Sequence, residues 1–100
     1  MHYRTFTVNT IPGKRLGAIE HLKKLATLYR DKYRVPTEVL SNGTGAVYRS
    51  HVASKYQSMS RMEEVEEEFL TSPDFQAWFA GSVGLLAWQD ATTNIYVVHE

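Results

Sequence analysis

Val35–Ser54, VPTEVLSNGTGAVYRSHVAS, is the stretch whose reading decides the fold. Its flanks are rich in β-branched and aromatic residues, and its middle is Asn42-Gly43-Thr44-Gly45. It therefore reads as two strands, Thr37 to Ser41 and Ala46 to Ala53, joined by a turn. Asn42 and Gly43 both tolerate positive φ, as a two-residue hairpin turn requires, and Gly45 allows a longer loop with a bulge. A glycine-rich loop cradles phosphate when it opens a helix. No helix follows here, which argues against a phosphate site.

Working outward, the N-terminal side supplies a strand and then a helix. Tyr3 to Asn9, YRTFTVN, has strand composition, and Thr10-Ile11-Pro12-Gly13 breaks it, with Pro12 suited to a first helical turn. From Gly13 to Tyr33, Leu16, Ile19, Leu22, Leu25, Ala26, Tyr29 and Tyr33 recur at steps of three and four, one face of an amphipathic helix. His21, Lys23, Lys24 and Arg30 fall off that stripe, so His21 is expected on a solvated helix surface. Pro36 marks the exit.

The C-terminal side repeats the pattern. A second helical segment opens at Ser58-Met59-Ser60-Arg61-Met62-Glu63, where Ser60 and Glu63 fit a capping box. Met62, Val65 and Phe69 form its apolar stripe, and Glu63 to Glu68 read as a solvated acidic face rather than a cation site. Ser72-Pro73-Asp74 breaks the helix, which resumes through Phe75, Trp78, Phe79, Ser82, Leu85 and Leu86, with Gly81 and Gly84 marking its end. Gln89 to Thr93 reads as a turn, and Asn94 to His99 as the last strand.

The order β-α-β-β-α-β predicts an α+β, ferredoxin-like fold: a four-stranded antiparallel sheet with its helices on one face. Residues 1–100 make one domain, and 43% hydrophobic with 22% charged residues is the composition of an ordinary globular chain rather than a disordered one. A sheet with one wet face should alternate strictly between apolar and polar residues. In these strands both faces carry apolar residues, so the second face is expected to meet another copy in a homodimer.

Composition also excludes function classes. The chain has no cysteine, which removes a disulfide scaffold, a thiolate nucleophile and a Cys-ligated zinc site. No long apolar run is present, so a cytoplasmic protein with no membrane contact is expected. All eleven Lys and Arg lie at or before Arg61, and most of the acidic residues follow it. The basic residues are scattered over a helix and its ends, and an equal acidic charge sits in the same domain, so no nucleic-acid partner is expected.

The strand and helix order, Tyr56-Gln57-Ser58-Met59 at the entry to the second helix, and Ser72-Pro73-Asp74-Phe75 followed by Trp78 resemble the dimeric α+β barrel superfamily. The likeness is greatest to its NIPSNAP-like and antibiotic-biosynthesis-monooxygenase-like members. That resemblance implies a homodimer joined through the sheets, with a small, mostly apolar ligand between sheet and helices. It leaves several activities open, among them cofactor-independent oxygenation, haem degradation, decarboxylation and no catalysis at all. The haem-degrading members have an Asn on the first strand and a Trp and a His on the second helix. Asn9 and Trp78 stand at such places, but the second helical segment has no His, so no haem and no other cofactor is expected.

For an oxygenase of the cofactor-independent type, the resemblance implies an apolar slot for a planar aromatic or polyketide-like substrate, plus a few polar groups to orient it. Candidates are His51 and Tyr48 for catalysis, and Asn9, Trp78, Trp88, Tyr96 and His99 for ligand binding. His51 is the best acid–base candidate because imidazole titrates near neutral pH. Each also has a plainer reading: Trp78 as core, Tyr48 and Tyr96 as interface, His51 as a hydrogen-bonded structural residue, His99 as a chain-end residue. Metal binding by His51 and His99 lacks a third ligand at suitable spacing, so no metal is expected. The alternative function is a non-catalytic stress-response or ligand-binding dimer of NIPSNAP-like type.

Overall fold

The computed structural model describes residues 1–99. Its elements are β1 (His2–Thr10), α1 (Arg15–Tyr33), β2 (Thr37–Ser41), β3 (Arg49–Tyr56), α2 (Met59–Leu70), α3 (Pro73–Ser82) and β4 (Leu86–Val97). The strands form one antiparallel sheet in the order β2-β3-β1-β4, so the ferredoxin-like expectation holds, with the second helix split in two. No described helix is long and apolar enough to cross a membrane.

The period of two along each strand sorts the side chains. On β1 and β3 the pairs Arg4↔Ser54, Phe6↔Val52 and Val8↔Ser50 share the helix side, while Tyr3↔Lys55, Thr5↔Ala53 and Thr7↔His51 share the open side. The helix side is capped by α1 through Leu22, Leu25 and Tyr29, and by α2 through Met62, Val65 and Phe69, all buried. Among the described residues no element covers the open side. Leu40, Tyr96 and Val98 are exposed there, as an unpartnered face with apolar character requires.

Several boundaries differ from the expected ones. β3 begins at Arg49 because Gly45 takes φ 68° and Arg49 N–H bonds Ala46 O at 3.0 Å, folding residues 42–48 into a loop that holds Tyr48. The cap of α2 is Ser58, whose Oγ accepts from Arg61 N–H at 3.2 Å; the Ser60–Glu63 box is not formed. Between α2 and α3, Ser72 donates to Phe69 O at 2.6 Å and accepts from Phe75 N–H at 3.2 Å, ending one helix and starting the next with Pro73 in its first turn. Gln89 to Thr93 is strand, not turn. It contains the bulge at which the register passes from Asn9↔Ala87 to Thr7↔Thr92, and extra residues of that kind look like a turn in sequence. Leu16 lies outside the buried stripe at 80% exposure.

Candidate functional site

A half-enclosed cavity of about 110 Å³ lies between the sheet and the helices. β1 supplies Arg4 and Phe6, α1 supplies Leu25 and Tyr29, α3 supplies Phe75 and Trp78, and β4 supplies Trp88 and Thr93. A larger groove of about 590 Å³ runs outside, over α1 and α3, but it is open along its surface and offers a ligand little burial.

The apolar wall is aromatic. Phe6 and Trp88 stand 5.4 Å apart, and Trp78 meets Trp88 edge-on at 5.9 Å. Both indole N–H groups are already used: Trp88 donates to Ser82 Oγ at 2.8 Å, and Trp78 to His21 O at 2.8 Å. His21 returns the bond, its Nε2 donating to Trp78 O at 2.7 Å, and the two rings stack at 4.9 Å. His21 therefore clamps α1 to α3 instead of facing solvent as its spacing suggested. The clamp explains Gly81, because a Cβ there would come within 2.8 Å of His21 Cε1. Gly81→Ala is accordingly expected to destabilise the protein by about 1 kcal/mol despite alanine's better helix propensity. In a His21→Ala background the same change should become neutral or stabilising, and denaturant unfolding of the four proteins would show whether the sign reverses.

The polar lining residues Arg4 and Tyr29 both meet Glu66, on the inner side of α2. Its carboxylate accepts from Tyr29 at 2.8 and 2.9 Å and from Tyr56 at 3.0 Å, and Arg4 Nη1 stands 3.4 Å from Oε1. The Arg4 and Glu66 side chains are only 18% and 12% exposed. Burial, and then the neighbouring Glu66 charge, pushes both phenols well above the ordinary tyrosine value, with Arg4 opposing only in part. Tyr29 and Tyr56 are therefore held as protonated donors to the carboxylate.

The residues singled out in the sequence do not share one slot, because the sheet divides them. Trp78 and Trp88 line the cavity. His51 is on the open face, where Nδ1 pairs with Thr7 Oγ1 and Nε2 with Asn42 Oδ1, each at 2.8 Å. Asn9 is on that face too, its Oδ1 accepting from Arg49 Nε at 3.3 Å. Tyr48 is exposed in the loop, Tyr96 is exposed on the open side of β4, and His99 lies exposed beyond the end of β4. Alternation along β3 puts His51 opposite in direction to Val52, which lines the cavity. Among the described residues no three His, Asp or Glu side chains come together as a metal site.

Sequence reasoning missed Arg4, Tyr29, Tyr56 and Glu66 as a group. Two cues were present. Arg4 has the same parity as Phe6 and Val8, and Glu66 falls between Val65 and Phe69, four residues after Met62, so each charge lies on an apolar stripe.

No protein-family model and no curated protein sequence matches the chain. Solved structures do. A NIPSNAP domain protein from Burkholderia xenovorans superposes with a TM-score of 0.80 at 15% identity, covering 99% of this chain and 95% of its own. A protein described as of the antibiotic biosynthesis monooxygenase type, from Deinococcus radiodurans, gives 0.75 at 13% identity over 100% and 94%. A NIPSNAP family protein from Agrobacterium tumefaciens gives 0.79 at 11% identity over 99% and 93%. At such identities the likeness is one of backbone, and it agrees with the strand order and helix placement above. The chain has the ferredoxin-like α+β fold that NIPSNAP domain proteins share with proteins of the antibiotic biosynthesis monooxygenase type.

Proposed function

We propose that the protein binds a small molecule, about one aromatic ring in size, in the cavity between sheet and helices, and works as a homodimer joined through the open sheet face. The observation that carries the first part is the cavity itself: an aromatic wall ending on Arg4, whose guanidinium is paired with Glu66. At about 110 Å³ it is somewhat smaller than the ~150 Å³ engineered cavity that takes up benzene, and far below the ~300 Å³ at which drug-sized pockets begin. A single ring is therefore favoured over a polyketide-like polycycle. Leu70, half-exposed at the rim, gives room for part of the ligand to protrude.

A binding role is favoured over cofactor-independent oxygenation, since the phenols at the polar end stay protonated and already donate to Glu66. Oxygenation remains the second reading because Tyr29 lines the cavity and donates to Glu66, a carboxylate that can take a proton relayed through that hydroxyl from an acidic ring substituent. Oxygen uptake with single-ring phenols separates the two. Uptake that is abolished by Glu66→Gln supports catalysis, and none with any ring that binds supports a carrier or sensor. The cavity assignment itself is tested by a ¹H–¹⁵N NMR titration with small aromatic fragments: shifts centred on Phe6, Leu25 and Trp88 are expected, and shifts scattered elsewhere would refute it.

The dimer rests on the open face. Its Thr7–His51–Asn42 chain satisfies both imidazole nitrogens within the protomer, so a partner sheet can cover His51 without orphaning a polar atom. An Arg at Tyr96 or at Val98 should give monomers by light scattering, because each would place an unpaired charge in the contact. Dimers that survive both changes would exclude this sheet-to-sheet arrangement. Val52→Arg offers no such test, as Val52 faces the helices at 3% exposure.

A further inference from the structure

We infer that the molecule held in the cavity carries a neutral oxygen acceptor, of the aryl ketone, aldehyde or amide class, and that Arg4 donates to that oxygen; this rests on the cavity being a ligand site. A guanidinium has five N–H groups and needs acceptors for most of them when it is buried. The one polar contact of Arg4 among the described residues is Nη1 to Glu66 Oε1 at 3.4 Å, longer than a good N–H···O bond. Glu66, meanwhile, is already occupied by Tyr29 and Tyr56 at 2.8 to 3.0 Å. Arg4 lines the cavity, and its remaining N–H groups have no protein acceptor among the described residues.

Charge narrows the class further. Of the residues lining the cavity only Arg4 is charged, and Glu66 beside it cancels that charge. An anionic ligand would lose its hydration and gain no net positive field from the Arg4–Glu66 pair. A ligand with only donors would face the guanidinium of Arg4, which has donors and no acceptor. A carbonyl oxygen needs neither concession: it accepts from the unused N–H groups of Arg4 while its ring lies against Phe6 and Trp88.

The test is a ¹H–¹⁵N NMR titration of the full chain with three probes of similar size: acetophenone, isopropylbenzene and benzoate. Acetophenone is expected to bind about tenfold or more tightly than either of the others, the effect of one hydrogen bond from a charged donor. In Arg4→Met, which keeps the side-chain length, its lead over isopropylbenzene should fall to within about twofold. If Arg4→Met does not fold, the wild-type ranking decides alone. Equal binding of acetophenone and isopropylbenzene at the cavity would overturn the inference and leave the cavity reading intact, and so would benzoate binding best. No binding by any probe would overturn both.

Discussion

Replacing Glu66 by alanine is expected to cost about 3 kcal/mol, a large part of the ~5–15 kcal/mol that holds a domain of this size together. The effect comes from what is left behind. Arg4 would be an uncompensated charge at 18% side-chain exposure, and the hydroxyls of Tyr29 and Tyr56 would lose their shared acceptor beneath α2. For about 100 residues each kcal/mol moves the midpoint by roughly 4–8 °C, so Tm should fall by roughly 12–24 °C. Glu66→Gln keeps an amide oxygen for the phenols and should lose only part of this. Arg4→Met combined with Glu66→Leu should recover only the part due to the stranded charge, because the two phenol hydroxyls still lack their acceptor. A Glu66→Ala protein within 1 kcal/mol of wild type by urea unfolding would show that water serves the cluster equally well.

Stability should also fall steeply above pH 10, and the sign follows from the two buried phenols. Each has an ordinary value of 10.0 when exposed and a much higher one in the folded protein, raised first by burial and then by Glu66. Above pH 10 the unfolded chain has released these protons while the folded chain retains them, so rising pH favours unfolding. Their contribution is complete below about pH 10 and declines beyond it, by about 1.4 kcal/mol per pH unit for each phenol and about 2.7 for both. The exposed Lys32, raised by its bond to Asp74, adds a slope of the same sign. Urea unfolding at intervals from pH 9 to 11 measures the total, and the Tyr29→Phe, Tyr56→Phe double variant isolates the phenols' share. An equal slope in that variant would mean that other groups govern alkaline unfolding.

The element order was legible in sequence because it rests on periodicity. The steps of three and four from Leu22 to Tyr33 mark a buried helical face whatever it packs against, and Asn42-Gly43 with Gly45 marks a reversal through backbone permissiveness alone. Boundaries failed where a local pattern had two readings. Gln89-Asp90 reads as turn chemistry, but pairing with β1 absorbs it as a bulge, and Ser58 rather than Ser60 caps α2 because only the approach of the chain from β3 selects between them. His21 was misjudged for the same reason: its partner Trp78 lies 57 residues away.

By itself, then, the sequence determined the strands, the helices, their order and the exclusion of cysteine chemistry, since these depend on residue type and spacing within short windows. The tertiary structure decided which candidate side chains share a space. Sheet register sends His51 and Asn9 to the open face and Arg4 and Phe6 to the helix side, and it is register, set by pairings 40 to 54 residues apart, that brings Arg4 under Glu66. A one-residue slip would exchange the two faces, which is why the site depended on long-range pairing.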